Sequence, residues 1–373
     1  ISWVKFFFLF IFFFYLSNEI NKNKFLKFSK YILYIIYFLI LDIILQRFFH
    51  FEFFGNQMII GRTTGPYGDE LIIGTIVLFI GFIPFFIKLN EYLSKNKFFK
   101  SIIISNIFFL GIFLTGERMN TILSFVIIFL FLIFLIKYKK FLITFLITYL
   151  LAVFLISINY VGKEKSENYF LMRFESFIFQ LATTDTYCGS IEKGSARYYN
   201  CKADDITVKK REKKTMFDNP WGAHYLTAYE IWKENKLIGA GNKSFRFVCG
   251  KYGNTIKSKN KNKRCSTHPH NIYMEILSES GIIGLILFCS LNLIILFKSI
   301  RIFILINSYK NLKIDKFYSN LFISLIIIFI LLIWPIKSTG RISSSFYGSI
   351  YWMFTFFLCS MNYYMYKYVY KLK

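Results

Sequence analysis

The sequence is built from long apolar runs that alternate with short lysine-rich segments. Runs such as 71–87, 119–136 and 141–160 carry almost no charge and approach the ~20 residues that a helix needs to cross ~30 Å of hydrocarbon. An amphipathic helix covering a soluble core would show a polar residue at every third or fourth position, and these runs do not. The pattern therefore predicts an all-α polytopic membrane protein.

We predict about nine transmembrane helices from these runs. Their approximate bounds are 1–17, 31–49, 71–88, 100–116, 119–136, 141–160, 272–297, 317–336 and 345–366. One long polar segment separates the sixth span from the seventh. We therefore expect three parts: helices 1–6 in residues 1–160, a loop in 161–271 and helices 7–9 in 272–373.

Basic residues in the short connections predict which side of the membrane each loop faces. Five groups fall on one side of a nine-helix arrangement: Lys22, Lys24, Lys27 and Lys30; Lys88, Lys95, Lys97 and Lys100; Lys137, Lys139 and Lys140; Lys298, Arg301, Lys310, Lys313 and Lys316; and Lys367, Lys371 and Lys373. Cytoplasmic loops carry such an excess of Lys and Arg. The long loop 161–271 then faces outward, on the side opposite the cytoplasm.

The long loop is predicted to be partly helical. Residues 165–182 have the pattern of an amphipathic helix lying on or near the membrane. A second helical stretch, 222–235, follows the turn signal Asn219-Pro220.

Composition supports the membrane assignment and removes one alternative. Apolar residues make up 55% of the 373 positions and aromatic residues 21%, more large apolar surface than one soluble core of this size can bury. A net charge of +25 would suggest a nucleic-acid partner for a soluble protein. Because much of this charge lies between apolar runs, we expect membrane lipids as partners and no nucleic acid.

The six cysteines divide by position. Cys289 and Cys359 lie in predicted spans and are expected to be small packing residues. The outward loop holds the other four: Cys188, Cys201, Cys249 and Cys265.

An oxidising compartment permits disulfides between the loop cysteines. We favour the local pairs Cys188–Cys201 and Cys249–Cys265 among three possible connectivities. An alternative is a zinc site, whose spacing would match no familiar pattern. Its ligands would be Cys249, Cys265, His268 and His270.

Three polar features lie where polarity is costly in a membrane protein. They are the turn 115–118 that ends in Arg118, Arg173 within the predicted helix 165–182, and His270 at the end of the loop. Each has a simpler interpretation, because arginines reach for lipid headgroups and a lone histidine is more often structural. Together they suggest chemistry, since a neutral imidazole accepts a proton near pH 7 and guanidinium groups bind phosphate bidentately.

The end of the loop resembles the hallmark of the O-antigen ligase and polymerase superfamily. That hallmark is His, then Asn, Ser or Gln, nine further residues, Gly, two residues and Gly. Here His270-Asn271 is followed by nine residues, then Gly281, two isoleucines and Gly284. As in the family, the pattern lies at the end of a long outward loop.

Further segments are similar to family segments on the same face. Residues 114–120 (LTGERMN) resemble the turn that bears the family's first essential arginine, which corresponds to Arg118. Arg173 lies where the family places a second arginine. Arg62, in the segment 61–70, is a further candidate contact.

Gly239 and Gly241 belong to a segment similar to the glycine-rich stretch that precedes the family's histidine. The resemblance covers the chain from about residue 42 onward. Family members have about three more spans at the N-terminus, and we therefore expect a chain truncated from about twelve helices.

The resemblance implies a glycosyltransferase that takes a glycan from undecaprenyl pyrophosphate. The ligase branch transfers the glycan to lipid A–core, whereas the polymerase branch extends it by another repeat unit. His270 would be the general base for the acceptor hydroxyl, and Arg118, Arg173 and Arg62 would bind the pyrophosphate. Asn271 and the four glycines would support this site. With guanidinium groups on the phosphates, no metal or cofactor is expected.

Two further alternatives are a protein of another class, a non-enzymatic polysaccharide transporter or flippase, and a truncated, inactive homologue of the enzyme. Transporters place ionisable residues within spans near the bilayer midplane. Such residues are nearly absent from these spans, and Asp42 and Glu275 lie toward the ends of theirs. This distribution favours the enzyme.

Overall fold

The computed structural model describes residues 21–51, 53–58, 62–68, 70–160, 220–252, 265–308, 314–335, 340–342 and 346–370, together with 8, 11, 12 and 344. The elements of this described part are helices, as predicted. The main ones are α1 (Lys22–Phe49), α2 (Ile73–Ser94), α3 (Phe98–Leu114), α4 (Arg118–Phe134), α5 (Lys139–Tyr160), α6 (Pro220–Glu234), α7 (Ile272–Ser308), α8 (Lys316–Leu332) and α9 (Tyr347–Tyr370). Short helical turns cover Gly65–Tyr67, Ile136–Tyr138, Phe245–Val248 and Cys249–Tyr252.

Each predicted span from the second to the ninth corresponds to one of these helices, and the predicted helix 222–235 is α6. The first predicted span, 1–17, lies almost entirely outside the described residues. The predicted helix 165–182 lies wholly outside them.

Within the described residues, four helical stretches are long and apolar enough to cross a membrane: α1, α2, Ile136–Ile158 and α7. The most apolar part of α2 is 72% buried inside the protein, whereas the figures for Ile136–Ile158 and α7 are 22% and 17%. Helices that are apolar and yet so exposed need apolar surroundings, which a bilayer supplies. The helices α3, α4 and α8 are shorter and also apolar.

The helix α2 contains an irregular turn. Residues Ile76–Ile80 wind as a π-helix, and Pro84 follows inside the helix. Proline has no N–H to offer the carbonyl four residues before it, which here belongs to Ile80. The first turn of α2, which carries Gly74, is therefore joined to the rest of the helix by a locally irregular backbone.

The described chain divides into two compact units. The first comprises Ile1–Phe170, Cys289–Lys337 and Ile342–Lys373, and its helix α2 packs against α1, α3 and α8. Phenylalanines fill its core because their large rings pack well between closely spaced helices. The rings of Phe85 and Phe108, for example, stack with centroids 4.2 Å apart and are fully buried.

The second unit comprises Leu171–Phe288 and Ser338–Arg341. Its core contains the buried residues Ala228, Ile231, Phe245 and Cys249. The unit extends past the predicted loop boundary at residue 271, because the first part of α7 packs with it.

Candidate functional site

The first candidate site lies at the start of α4 in the first unit. We call it the arginine site and define it as Arg62, Glu117 and Arg118. The loop that carries Arg62 is fastened to the turn before α4 by a backbone hydrogen bond from the Thr63 N–H to the Thr115 carbonyl, 3.1 Å long. This bond brings two segments that are far apart in the sequence side by side.

The last turn of α1 supports the same region. Arg47 donates from Nε and Nη2 to the Leu114 carbonyl at 3.0 and 2.9 Å, and so satisfies a carbonyl at the end of α3. Gln46 exchanges two hydrogen bonds with Thr64, one to its backbone and one to its side chain, each 3.0 Å long. Buried polar groups that are paired in this way hold the loop in one conformation.

The carboxylate of Glu117 is buried and fully engaged. Its Oε1 accepts from the Gly74 N–H at 2.8 Å, and its Oε2 accepts from the Asn120 side chain. A Cβ on residue 74 would lie 2.9 Å from the carboxylate carbon, so glycine permits this approach. Asn120 also donates to Thr75 at 3.1 Å.

The charges of the arginine site do not cancel. The guanidinium groups of Arg62 and Arg118 are near enough to act on each other electrostatically, and Glu117 acts on Arg62. Burial lowers the pKa of Arg62, and Glu117 partly opposes that shift. Arg62 Nε is buried without a hydrogen-bond partner among the described residues. The three residues of the site thus comprise two guanidinium groups and one carboxylate, and guanidinium groups bind phosphate bidentately.

The second candidate site lies in the second unit and is formed by His224, Ser266, His268 and His270, which we call the histidine site. The His270 ring lies 4.2 Å from the His268 ring and 5.3 Å from the His224 ring, measured between centroids. Its Nε2 lies 3.1 Å from the Ser266 hydroxyl oxygen. The two atoms are within hydrogen-bonding distance, and the tautomer of the ring decides which of them donates.

A disulfide holds one end of the histidine site. The predicted pair Cys249–Cys265 is confirmed. Because Cys249 belongs to the buried core of the unit, the bond fastens the residue directly before Ser266 to that core. Both sulfurs are therefore consumed, and the alternative zinc site that needed them as thiolates is wrong.

The backbone around His270 is also constrained. His270 has φ +56°, in the left-handed region that residues other than glycine seldom adopt. Asn271, which follows, caps α7: its side-chain oxygen accepts from the N–H groups of Tyr273 and Met274 at 3.0 and 3.2 Å. The Tyr225 hydroxyl also hydrogen-bonds the Asn271 side chain. His270 is thus placed directly before a firmly capped helix end.

His270 is neutral in this environment. Burial lowers its pKa to about 3, and His268 and His224 add to the shift because a proton on either ring would repel one on His270. The positive end of the α7 dipole favours the neutral imidazole in the same way. The ring is therefore free to accept a proton at neutral pH, although it is a weak base until a nearby negative charge raises its pKa.

The helix α7 is interrupted at Gly281, whose φ of +67° and ψ of −168° are not helical. The break frees backbone groups that would otherwise pair within the helix. The carbonyls of residues 278 and 279 accept from the N–H groups of residues 240 and 241 at 2.9 and 3.0 Å, and the N–H groups of residues 282 and 283 donate to the carbonyls of residues 236 and 237 at 2.9 and 3.2 Å. We call this pairing of 236–241 with 278–283 the glycine joint.

Glycine is required on both sides of the joint. A Cβ on Gly281 would lie 2.2 Å from the Leu237 carbonyl oxygen, and a Cβ on Gly239 would lie 2.4 Å from the backbone of Glu279. Gly239 also has a positive φ of +70°. On Gly284 a Cβ would overlap the Ser280 side chain at 2.3 Å. Gly241 has φ +101° and open space around it, so its requirement is conformational alone.

A buried ion cluster lies beside the joint. Arg341 Nε is 3.5 Å from Glu275, and its Nη2 is 3.3 Å from Glu279. All three side chains are nearly inaccessible to solvent. Glu279 also accepts from the backbone N–H groups of Lys243 and Phe245 at 2.7 and 3.4 Å. One carboxylate therefore connects α7, the turn after the glycines and the segment that carries Arg341.

The buried charges of the described residues are confined to these surroundings. They are Asp42, Arg47, Glu117, Glu275, Glu279 and Arg341. Asp42 accepts from the Phe53 N–H at 3.1 Å, next to the loop of the arginine site. Since burying charge is costly, its restriction to two regions marks those regions as functional candidates.

The structure places the predicted residues in two groups. Arg62 and Arg118 come together in the first unit. The second unit holds His270, Asn271, Gly239, Gly241, Gly281 and Gly284. Arg173, Cys188 and Cys201 lie outside the described residues.

Sequence reasoning missed several contributors. The buried positions of Glu279 and Arg341, and the contact of Ser266 with His270, were not foreseen. Arg341 offered one signal, because it is one of two cations, with Lys337, in the short segment between two apolar runs.

The fold and its two polar sites define a multi-pass membrane protein that carries groups suited to phosphate binding and to proton transfer. A sequence model of the O-antigen ligase family matches residues 103–289, half of the 373-residue chain. The chain belongs to the O-antigen ligase family. The matched segment contains Arg118 and the whole hallmark from His270 to Gly284. No curated protein matches the chain in sequence.

Family membership gives the general function. Proteins of this family are glycosyltransferase-type enzymes, ligases or polymerases, of lipopolysaccharide biosynthesis. Their donors and acceptors are lipid-linked glycans and lipopolysaccharide-type molecules.

Proposed function

We propose that the protein is an O-antigen ligase. It takes a glycan from undecaprenyl pyrophosphate and transfers it to a hydroxyl of lipid A–core at the periplasmic face of the inner membrane. The reaction breaks the bond between the anomeric carbon and the phosphate oxygen, and forms a bond from that carbon to the acceptor oxygen. The acceptor's proton goes to a base on the protein, and undecaprenyl pyrophosphate leaves.

His270 is the proposed general base. The observation that carries this role is the Ser266 hydroxyl oxygen at 3.1 Å from His270 Nε2, the distance at which an acceptor hydroxyl would pass its proton to the ring. The lowered pKa keeps the ring neutral before the donor arrives. The negative charge of a bound pyrophosphate would raise that pKa and make the ring a stronger base when it is needed.

Arg62 and Arg118 are the proposed pyrophosphate ligands, together with Arg173. The two guanidinium groups of the arginine site support this role, as does the unpartnered Nε of Arg62. As the leaving pyrophosphate gains negative charge, guanidinium groups stabilise it more strongly than they stabilise the bound donor, which lowers the barrier. These residues perform the step without requiring a metal.

Replacing the chromosomal gene by a His270→Ala version tests the function and its branch. The lipopolysaccharide should then consist of bare core, because glycan attachment fails. A single repeat unit on the core would instead assign the polymerase alternative, since attachment would persist without extension. Wild-type chains in this strain would contradict both. A His50→Asn strain is the matched control, because His50 is exposed at the end of α1 and belongs to neither site, and we expect it to keep its O-antigen.

A further inference from the structure

We infer that Arg341 is a positioning residue for His270. It acts through Glu275 and Glu279, which lie on the part of α7 that begins directly after His270. The inference deepens the proposed function and rests on the role given there to His270.

The first argument is geometric. Glu275 and Glu279 are one helical turn apart, and Arg341 contacts both, with its Nε 3.5 Å from the former and its Nη2 3.3 Å from the latter. The helix segment between Asn271 and Gly281 is short and interrupted, so it cannot rely on the continuous hydrogen bonding of a long helix. Arg341, which bridges two turns of this helix segment, fixes the direction of the segment.

The second argument concerns the free-energy cost of burying charged side chains. All three ionic side chains are buried, and a buried ion cluster is seldom the most stable way to fill a core. Arg341 Nη1 has no hydrogen-bond partner among the described residues, so the cluster is not optimised for stability. An apolar replacement of the ion cluster would fill the same space but would lose the fixed geometry of its contacts.

The third argument concerns how the effect reaches the base. Without Arg341, two carboxylates would face each other one turn apart and repel. Glu279 would keep the N–H groups of Lys243 and Phe245 and the more distant charge of Arg246, but would lose its hydrogen-bonded cation. The helix segment would then shift at the glycine joint, and His270 at its other end would shift with it. A displacement of about 1 Å at a catalytic group costs about a hundredfold in rate.

The test compares purified Arg341→Met, Arg341→Lys and wild type, with Lys233→Met as the matched control. Lys233 is exposed on α6, pairs with Glu230 at 3.0 Å, and belongs neither to the joint nor to the ion cluster. We expect Arg341→Met to lower kcat at least about tenfold with the donor KM nearly unchanged, and Arg341→Lys to recover part of that loss. Lys233→Met should behave as wild type.

A second readout does not depend on catalysis. Diethylpyrocarbonate modifies neutral imidazoles, and its rate at His270 can be followed by mass spectrometry from about pH 8 to about pH 4. The groups that act on the His270 charge, His224 and His268, are unchanged in these variants. In wild type the rate should persist well below pH 6.5. In Arg341→Met it should decline nearer pH 6.5, because the ring leaves its buried place.

The outcomes separate the two proposals. A folded Arg341→Met protein with wild-type kcat and a wild-type modification profile would overturn the positioning role. If wild type transfers no glycan at all, the proposed function fails, and the modification profile alone still decides whether Arg341 holds His270.

A separate observation carries a second proposal: the turn between α4 and α5 forms a binding site for an anionic phospholipid headgroup. A groove of about 440 Å³ lies there, and its apolar wall includes Leu93, Phe98 and Phe141. Its cationic wall consists of Lys137, Lys139 and Lys140.

These lysines differ from others in the first unit. Lys88 and Lys95 both pair with Glu91 at 2.9 Å. Lys137, Lys139 and Lys140 form no ion pair with any residue that the structure describes, although Lys137 lies over the Tyr138 ring at 4.9 Å, so their charges are available to an anion from outside. The apolar wall and the exposed apolar side chains of α4 and α5 suit acyl chains. A phosphate that carries acyl chains satisfies both walls, whereas free phosphate satisfies one.

Native mass spectrometry of protein released from vesicles of phosphatidylcholine with phosphatidylglycerol tests this proposal. We expect wild type and the control K88Q/K95Q to retain phosphatidylglycerol, and K137Q/K139Q/K140Q to lose it. Equal retention by the triple variant would overturn the proposal. So would displacement of the lipid by inorganic phosphate, which would identify a simple anion site.

Discussion

The arginine site and the histidine site are held together by different kinds of contact. In the arginine site, side chains reach backbone groups: Glu117 accepts from the Gly74 N–H, and Arg47 donates to the Leu114 carbonyl. In the unit that holds the histidine site, two stretches of backbone pair directly at the glycine joint. Side chains can adjust by rotation, whereas touching backbones cannot. Side-chain contacts suit the arginine site, which would adapt to a ligand. Backbone contacts suit the surroundings of the histidine site, which would orient a base.

The largest expected difference follows from adding one methyl group to each site. Gly281→Ala places a Cβ 2.2 Å from the Leu237 carbonyl oxygen at a positive φ, and we expect it to cost about 3 kcal/mol or more. Gly74→Ala places a Cβ 2.9 Å from the Glu117 carboxylate carbon, which can move, and should cost about 1 kcal/mol. Thermal unfolding in detergent measures both.

Gly250→Ala is the control for these substitutions, because nothing lies within 4 Å of its Cβ position and its φ is ordinary. It should match wild type. Equal stability of Gly281→Ala and Gly74→Ala would remove the distinction between the two kinds of contact.

The disulfide provides the next largest effect, and it should be confined to the histidine site. The paired change Cys249→Ser and Cys265→Ser opens a loop with a sequence separation of 16 and should cost about 3 kcal/mol. Reductant should lower the activity of wild type and leave that of the variant unchanged. Cys289→Ser, which changes a free thiol, is the control. If donor affinity fell as much as turnover, the effect would not be specific to the histidine site.

The pH dependence should also separate the sites. His270 has a folded pKa of about 3 against the ordinary 6.5, so the unfolded chain binds its proton first as the pH falls. Its contribution to stability is therefore complete above pH 6.5 and is lost between pH 6.5 and about 3. His270→Asn should remove this component from a series of unfolding measurements. Unchanged acid sensitivity in that variant would show that His270 is not buried as described.

Asn271→Ala should give the smallest effect. It removes the cap of α7 and should cost about 1 kcal/mol, with a modest fall in turnover because His270 lies directly before the cap. Asn271→Asp preserves an oxygen that accepts from the helix N–H groups, and is expected to retain stability. Loss of stability in both variants would point to the contact with Tyr225 instead of the cap.

Much of the fold could be predicted because apolar runs record helix positions directly. Eight predicted spans correspond to described helices, and α6 begins two residues before its predicted start. The interruption of α7 at Gly281 could not be read from hydropathy, which assigned 272–297 to one span although Ser278, Glu279 and Ser280 are polar. It depends on pairing with residues 236–241, which are distant in the sequence.

The candidate site was predictable to a lesser degree. A motif with fixed spacing pointed to His270, Asn271 and the glycines, and the confirmed Cys249–Cys265 pair followed from nearness in sequence. The roles of Glu279 and Arg341 depend on a contact between residues 62 positions apart, which no local pattern encodes. The proximity of Arg62 to Arg118 is a similar case.

The central claim assigns donor binding to the arginine site and proton transfer to the histidine site. It is tested most directly by measuring donor affinity and single-turnover rate on purified His270→Ala and Arg118→Ala. The account predicts that His270→Ala binds the lipid-linked donor nearly as wild type does and turns over at least about a hundredfold more slowly. It predicts that Arg118→Ala weakens donor binding at least about tenfold. Loss of donor binding in His270→Ala with wild-type binding in Arg118→Ala would contradict it.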